Sequence, residues 1–128
     1  MRLLLDTHAL IWAALMKPEL SRTARYAIES RENRVFVSVV SFWEIATKVR
    51  IGKMGDPGEL LRAPRRAICK MHFRDIQVNL DHAKLGGSLI SQHKDPFDRM
   101  IAAQALLEGL TLVSVDSAFD SMGVTRLW

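Results

Sequence analysis

The chain has 128 residues, 48% hydrophobic and 25% charged, with a net charge of +4. That balance excludes a disordered polar chain and predicts one domain, residues 1–128, with a buried core and room for a polyanionic partner. One cysteine, Cys69, excludes an internal disulfide, no apolar run approaches the roughly 18 residues that cross a bilayer, and no signal-like stretch precedes Asp6, so a reducing, cytoplasmic setting without membrane contact is expected.

Leu3-Leu4-Leu5 reads as a central parallel strand, buried on both faces, that ends at Asp6-Thr7-His8. Ala9 to Leu15 reads as a short helix, broken by Lys17-Pro18. Ser21 is a suitable N-cap for a helix from Arg22 to Ser30, with Ala24, Ala27 and Ile28 inward. Val35 to Val40 is β-branched and predicts a second strand. Ser41-Phe42-Trp43-Glu44 then opens a helix to Arg50, and Ile51 to Gly58 is a loop dense in glycine and proline. Glu59 to Met71 predicts a helix kinked at Pro64, and Phe73 to Asn79 a third strand. Asp81 is expected to cap a helix reaching His93, weakened at Gly86-Gly87. Asp95-Pro96 starts a helix to Leu107, stopped by Gly109. Leu110 to Val115 predicts a buried strand, and Val124 to Leu127 a last edge strand. Strands alternating with helices predict a three-layer α/β/α sandwich around a mostly parallel central sheet.

Four acids stand in comparable places. Asp6 and Asp116 follow strands, and Glu44 and Asp98 lie in the first turns of helices. In an open parallel sheet the crevice outside the strand carboxyl ends is the ligand edge. Asp6, Glu44 and Asp116 are expected there, and Asp98 joins them only if the preceding segment returns its helix to that edge. Each acid also has a structural use. Asp6 and Asp116 can cap turns, Ser41 to Glu44 matches a capping box, and Asp95 and Asp98 suit a helix start. Gathered together, however, they repel one another, and a hard divalent cation with oxygen ligands resolves that repulsion. No histidine or cysteine set has zinc spacing, so Mg²⁺, or Mn²⁺ in its place, is favoured, with the phosphoryl chemistry such ions support.

The motifs Leu4-Leu5-Asp6-Thr7-His8-Ala9, Ser41-Phe42-Trp43-Glu44-Ile45, His93 to Ala105 (HKDPFDRMIAAQA) and Leu112-Val113-Ser114-Val115-Asp116 resemble those of PIN-domain ribonucleases, and more narrowly of VapC toxins from toxin–antitoxin pairs. The resemblance spans the chain in order and carries the family's four metal-binding and catalytic acids onto Asp6, Glu44, Asp98 and Asp116. It implies a PIN-like fold, Mg²⁺-dependent cleavage of an RNA substrate, a homodimer and a cognate antitoxin that blocks the site. Ser114 matches a hydroxyl residue often found two positions before the last acid. Asp95, placed before Pro96, suits a cap better than a ligand.

Two other classes compete. A receiver-like signalling domain needs a phosphate-accepting acid at the end of a middle strand, where the second strand here offers Ser41. A non-catalytic RNA- or protein-binding module would have lost an acid, and all four are present. Arg99 could steady a phosphate or pair with Asp95, and His8 reads as a packed histidine. Trp12 and Trp43 read as core more readily than as base-stacking platforms or antitoxin-facing residues. Lys48, Arg50, Lys53, Arg62, Arg65, Arg66, Lys70 and Arg74 form either a solvated face or an RNA-backbone track near the acids.

Overall fold

A computed structural model describes residues 1–128. Five parallel strands, β1 (Arg2–Leu5), β2 (Arg34–Ser38), β3 (Arg74–Ile76), β4 (Thr111–Val113) and β5 (Arg126–Leu127), form one sheet in the order β3-β2-β1-β4-β5. The leucines of β1 alternate across the central strand. Leu3 and Leu5 face one layer with Val35, Val37 and Val113, whereas Leu4 faces the other with Leu112. Helices α1 (Thr7–Ala14), α2 (Arg22–Glu29), α4 (Glu59–Arg62) and α5 (Pro64–Lys70) cover the first face. Helix α7 (Pro96–Glu108) and a 3-10 helix, Ser117–Met122, cover the second through Ile101, Ala102, Ala105, Phe119 and Met122. The three-layer sandwich predicted from the sequence is the fold observed.

Several predicted boundaries differ. Helix α1 starts at Thr7 rather than Ala9, capped by Asp6, β3 spans only Arg74–Ile76 and β5 only Arg126–Leu127. Three further differences bear on the acids. Val39 and Val40 belong to helix α3 (Val39–Arg50), because the Ser38 hydroxyl caps the Val40 N–H. Glu44 therefore lies in the second turn, and the Ser41–Glu44 capping box does not form. Helix α6 (Leu80–Ser88) is capped by Asn79 rather than Asp81, through a reciprocal pair of bonds with His82, and ends five residues before His93. Strand β4 stops at Val113, leaving Val115 and Asp116 exposed. As expected, Pro64 splits the fourth helical segment in two, and Asp95 and Gly109 bound α7, Gly109 with φ 63°.

The α6–α7 pair decides where Asp98 lies. His82 at the start of α6 meets Glu108 at the end of α7, 2.8 Å apart, so the two helices run antiparallel. The chain leaves β3 at the carboxyl edge, descends past Gln104, whose amide donates to the Gln77 carbonyl, and climbs back along α6. This returns the α7 N-terminus to the carboxyl edge. Gly86 lies where the two helices meet, and a Cβ there would touch the Met100 Cα at 3.4 Å.

Candidate active site

Asp6 is 4% exposed at the end of β1, where its Oδ1 accepts the Ala9 N–H at 2.7 Å and caps α1. Its Oδ2 accepts the Ser114 hydroxyl at 2.5 Å. Burial pushes the Asp6 carboxyl above its ordinary range, against the two hydrogen bonds that hold it down, and the Glu44 charge adds to the rise. Glu44, 2% exposed, accepts the Thr7 hydroxyl on Oε1 at 2.6 Å and the Lys48 ammonium on Oε2. Thr7 and Ser41 share a further bond at 3.0 Å. Burial of Lys48 opposes its charge most strongly of any single influence, but the Glu44 hydrogen bond together with the charges of Glu44, Asp95 and Asp98 outweighs it and holds the ammonium above its usual value.

Asp98 joins the group from α7. Its Oδ2 bonds the His93 Nε2 at 2.8 Å, while the Asp95 side chain caps the Phe97 and Asp98 N–H groups. Burial raises the Asp98 carboxyl to about 6, opposed by the His93 bond and reinforced by Asp95 and Glu44. Beside it the Trp43 and Phe97 rings pack edge-on, 4.7 Å apart, which seats α3 against α7. Asp116 stands apart from this trio. It is exposed and accepts the Ala118 N–H on Oδ1, but its own N–H donates to Ser114, the residue that also bonds Asp6. The Glu44 charge thus acts on both Asp6 and Asp98, and the Asp116 backbone joins Asp6 through the shared Ser114 hydroxyl.

The PIN domain family model matches residues 3–124. The chain belongs to the PIN domain family. Solved structures similar to this PIN domain include FitAcB from Neisseria gonorrhoeae, at 20% identity over 98% of this chain and 96% of that one, TM-score 0.70. VapBC2 from Rickettsia felis, bound to a DNA fragment from their promoter, is 15% identical over 99% and 98%, TM-score 0.69. VapBC-1 from nontypeable Haemophilus influenzae is 18% identical over 99% and 97%, TM-score 0.69. At these identities the likeness establishes the fold. No curated protein matches the chain. Membership in the PIN family removes the receiver-like alternative. The residue that ends the second strand has no bearing on it, since the middle strand is β1, which leads into Asp6.

No three acidic, histidine or cysteine side chains of this PIN domain converge into a ready-made metal cage. Each carboxylate is instead bonded to a protein donor: Asp6 to Ser114, Glu44 to Thr7 and Lys48, Asp98 to His93. The donor set still fits a hard divalent ion, because it is all-carboxylate, largely buried and mutually repulsive.

Several residues have roles the sequence did not disclose. Arg99 contacts neither Asp95 nor open solvent in the manner of a phosphate clamp. Its guanidinium donates to the carbonyls of Gly86, Gly87, Leu89, Ser91 and His93, pinning the loop that carries His93. His8 is exposed against Trp12 rather than packed in the core, and Trp43 is 64% exposed. Lys70 lines a cavity of about 230 Å³ with Ala14 and Leu15 at the far end of α1, so that end of the basic cluster lies away from the acids. A cavity of about 680 Å³ between α2 and the turn before β3 contains none of the four acids.

Proposed function

We propose that this PIN domain is a Mg²⁺-dependent endoribonuclease and the toxin member of a toxin–antitoxin pair. The observation that carries the reading is the trio Asp6, Glu44 and Asp98 at the ligand edge of the sheet, where burial raises Asp6 and Asp98, the Glu44 charge adds to both, and Lys48 pairs with Glu44. These three would hold the cation, Mg²⁺ or Mn²⁺, with Asp116 at the rim to complete the set or orient the attacking water. Such an ion acts as a Lewis acid that acidifies water and neutralises charge at a phosphodiester. Ser114 holds Asp6 in place, and Thr7, itself bonded to Ser41, holds Glu44. Hydrolysis by an activated water, with no covalent enzyme intermediate, leaves 5′-phosphate and 3′-hydroxyl ends.

The antitoxin and homodimer readings draw support from two sources. Similar folds occur in structures described as VapBC and FitAB complexes or a toxin–antitoxin complex. Trp43, 64% exposed and packed edge-on against Phe97 beside Asp98, also presents a large aromatic side chain at the acid edge for a protein partner. The deciding experiment is cleavage of a mixed cellular RNA pool by the purified chain in Mg²⁺ and in EDTA. Discrete cuts with 5′-phosphates that vanish in EDTA, in Asp6→Ala and in Asp98→Ala support the nuclease. Bound but uncut RNA under every metal would favour the non-catalytic module.

A further inference from the structure

Lys48 stands one turn beyond Glu44 on α3 and bonds its Oε2. It is the one full cation bonded to the buried pair of Asp6 and Glu44, since the other side-chain donors to those carboxylates, Thr7 and Ser114, are neutral hydroxyls. Arg99, the one arginine or lysine of α7, is fully spent on backbone carbonyls. The two partners differ in freedom. The Glu44 side chain is 3% exposed and anchored by Thr7, whereas Lys48 is 27% exposed on a flexible stem that can swing to water. A divalent ion at Glu44 must compete with the ammonium for one oxygen and repels it once bound.

We propose that Lys48 is a tethered counter-ion that fills the charge position of the divalent cation and leaves Glu44 when the ion binds. The inference rests on the metal-dependent reading above and makes Lys48 a positioning residue of the site. It explains why the acids do not form a metal cage by themselves. Glu44 is turned to Lys48, and a site open in only a fraction of molecules binds its ion more weakly by that fraction.

Calorimetric titration of the full chain with Mn²⁺ tests this directly. Lys48→Met is expected to bind Mn²⁺ about five- to tenfold more tightly than the wild type, and Lys48→Arg, which keeps a cation, to stay within about twofold. In the wild type with ¹⁵N-labelled lysine, the Lys48 ammonium resonance is expected to move in step with Mg²⁺ occupancy. Unchanged or weaker Mn²⁺ binding by a folded Lys48→Met, with normal wild-type binding, overturns the inference and leaves the nuclease reading intact. Should Lys48→Met not fold, the wild-type resonance decides, and a signal unmoved at saturating Mg²⁺ overturns the inference. Absence of Mn²⁺ and Mg²⁺ binding in both chains overturns the metal reading and this inference together.

Discussion

Asp98 is ionised at a cost, and the cost has a sign that can be checked. Its carboxyl sits at about 6 in the fold and at 3.8 in the unfolded chain. Between those values the folded chain holds a proton that the unfolded chain has released. Its contribution to stability therefore rises as pH falls through 6, is complete below 3.8, and is lost above 6. Asp98→Asn is thus expected to be more stable than the metal-free wild type at pH 7.5, with the gap narrowing as pH falls below about 6 and closing only near 3.8, as read from urea midpoints. A gap independent of pH would mean that Asp98 is not strained. Ser114 offers a second test. Its hydroxyl donates to Asp6 and accepts the Asp116 N–H, at zero exposure. Ser114→Ala leaves a buried carboxylate short of a donor and should cost about 1–3 kcal/mol of unfolding free energy. Asp6, Asp98 and Asp116 stand out in the sequence because each borders an element end, whereas Glu44 reads as part of a helix start and lies a turn further into α3. The partners of these acids do not stand out. Lys48 reads as one more surface lysine until α3 places it a turn from Glu44.

Elements were read well where a local signal sets them and less well where tertiary contacts do. Asp95-Pro96 and Gly109 carry their own backbone chemistry, so α7 was legible to within a residue. The start of α3 was not, because Val39 and Val40 have strand propensity that the Ser38 cap overrides. The α6–α7 pairing was invisible for a different reason: it depends on Arg99, whose five carbonyl partners are spread from Gly86 to His93. Those partners, not a phosphate, set the position of His93 and so of its bond to Asp98. Arg99→Lys keeps the charge but not the fork, and should cost about 2–3 kcal/mol, since several hydrogen bonds go unmade. Hydrogen exchange should accelerate most across residues 89–94. Uniform acceleration over the whole chain would instead mean that Arg99 supports global stability without ordering this loop.

At the scale of the molecule the sheet separates charge. Arg2, Arg34 and Arg74 open β1, β2 and β3, with Arg2 and Arg34 directly paired across the ladder, while Asp6 and Asp116 follow β1 and β4 at the other edge. Four residues of strand, roughly 13 Å, divide the two edges. A net charge of +4 therefore does not describe what an approaching phosphate meets. At the carboxylate edge, without a divalent ion, it meets Asp98 and Asp116, with Lys48 drawn inward to Glu44. Removing one of those charges should strengthen metal-free RNA binding, whereas removing a ligand should weaken binding that depends on the ion. Asp98→Asn is accordingly expected to bind a non-cleavable RNA oligonucleotide about fivefold more tightly than the wild type in EDTA at pH 8, a gain of about 1 kcal/mol for one lost repulsion. In saturating Mg²⁺ the order should reverse. Fluorescence anisotropy at two salt concentrations reads both arms, and the EDTA gain should shrink at the higher salt as screening grows. Equal affinities in EDTA would place the RNA elsewhere on the surface, with the basic edge as the next region to mutate.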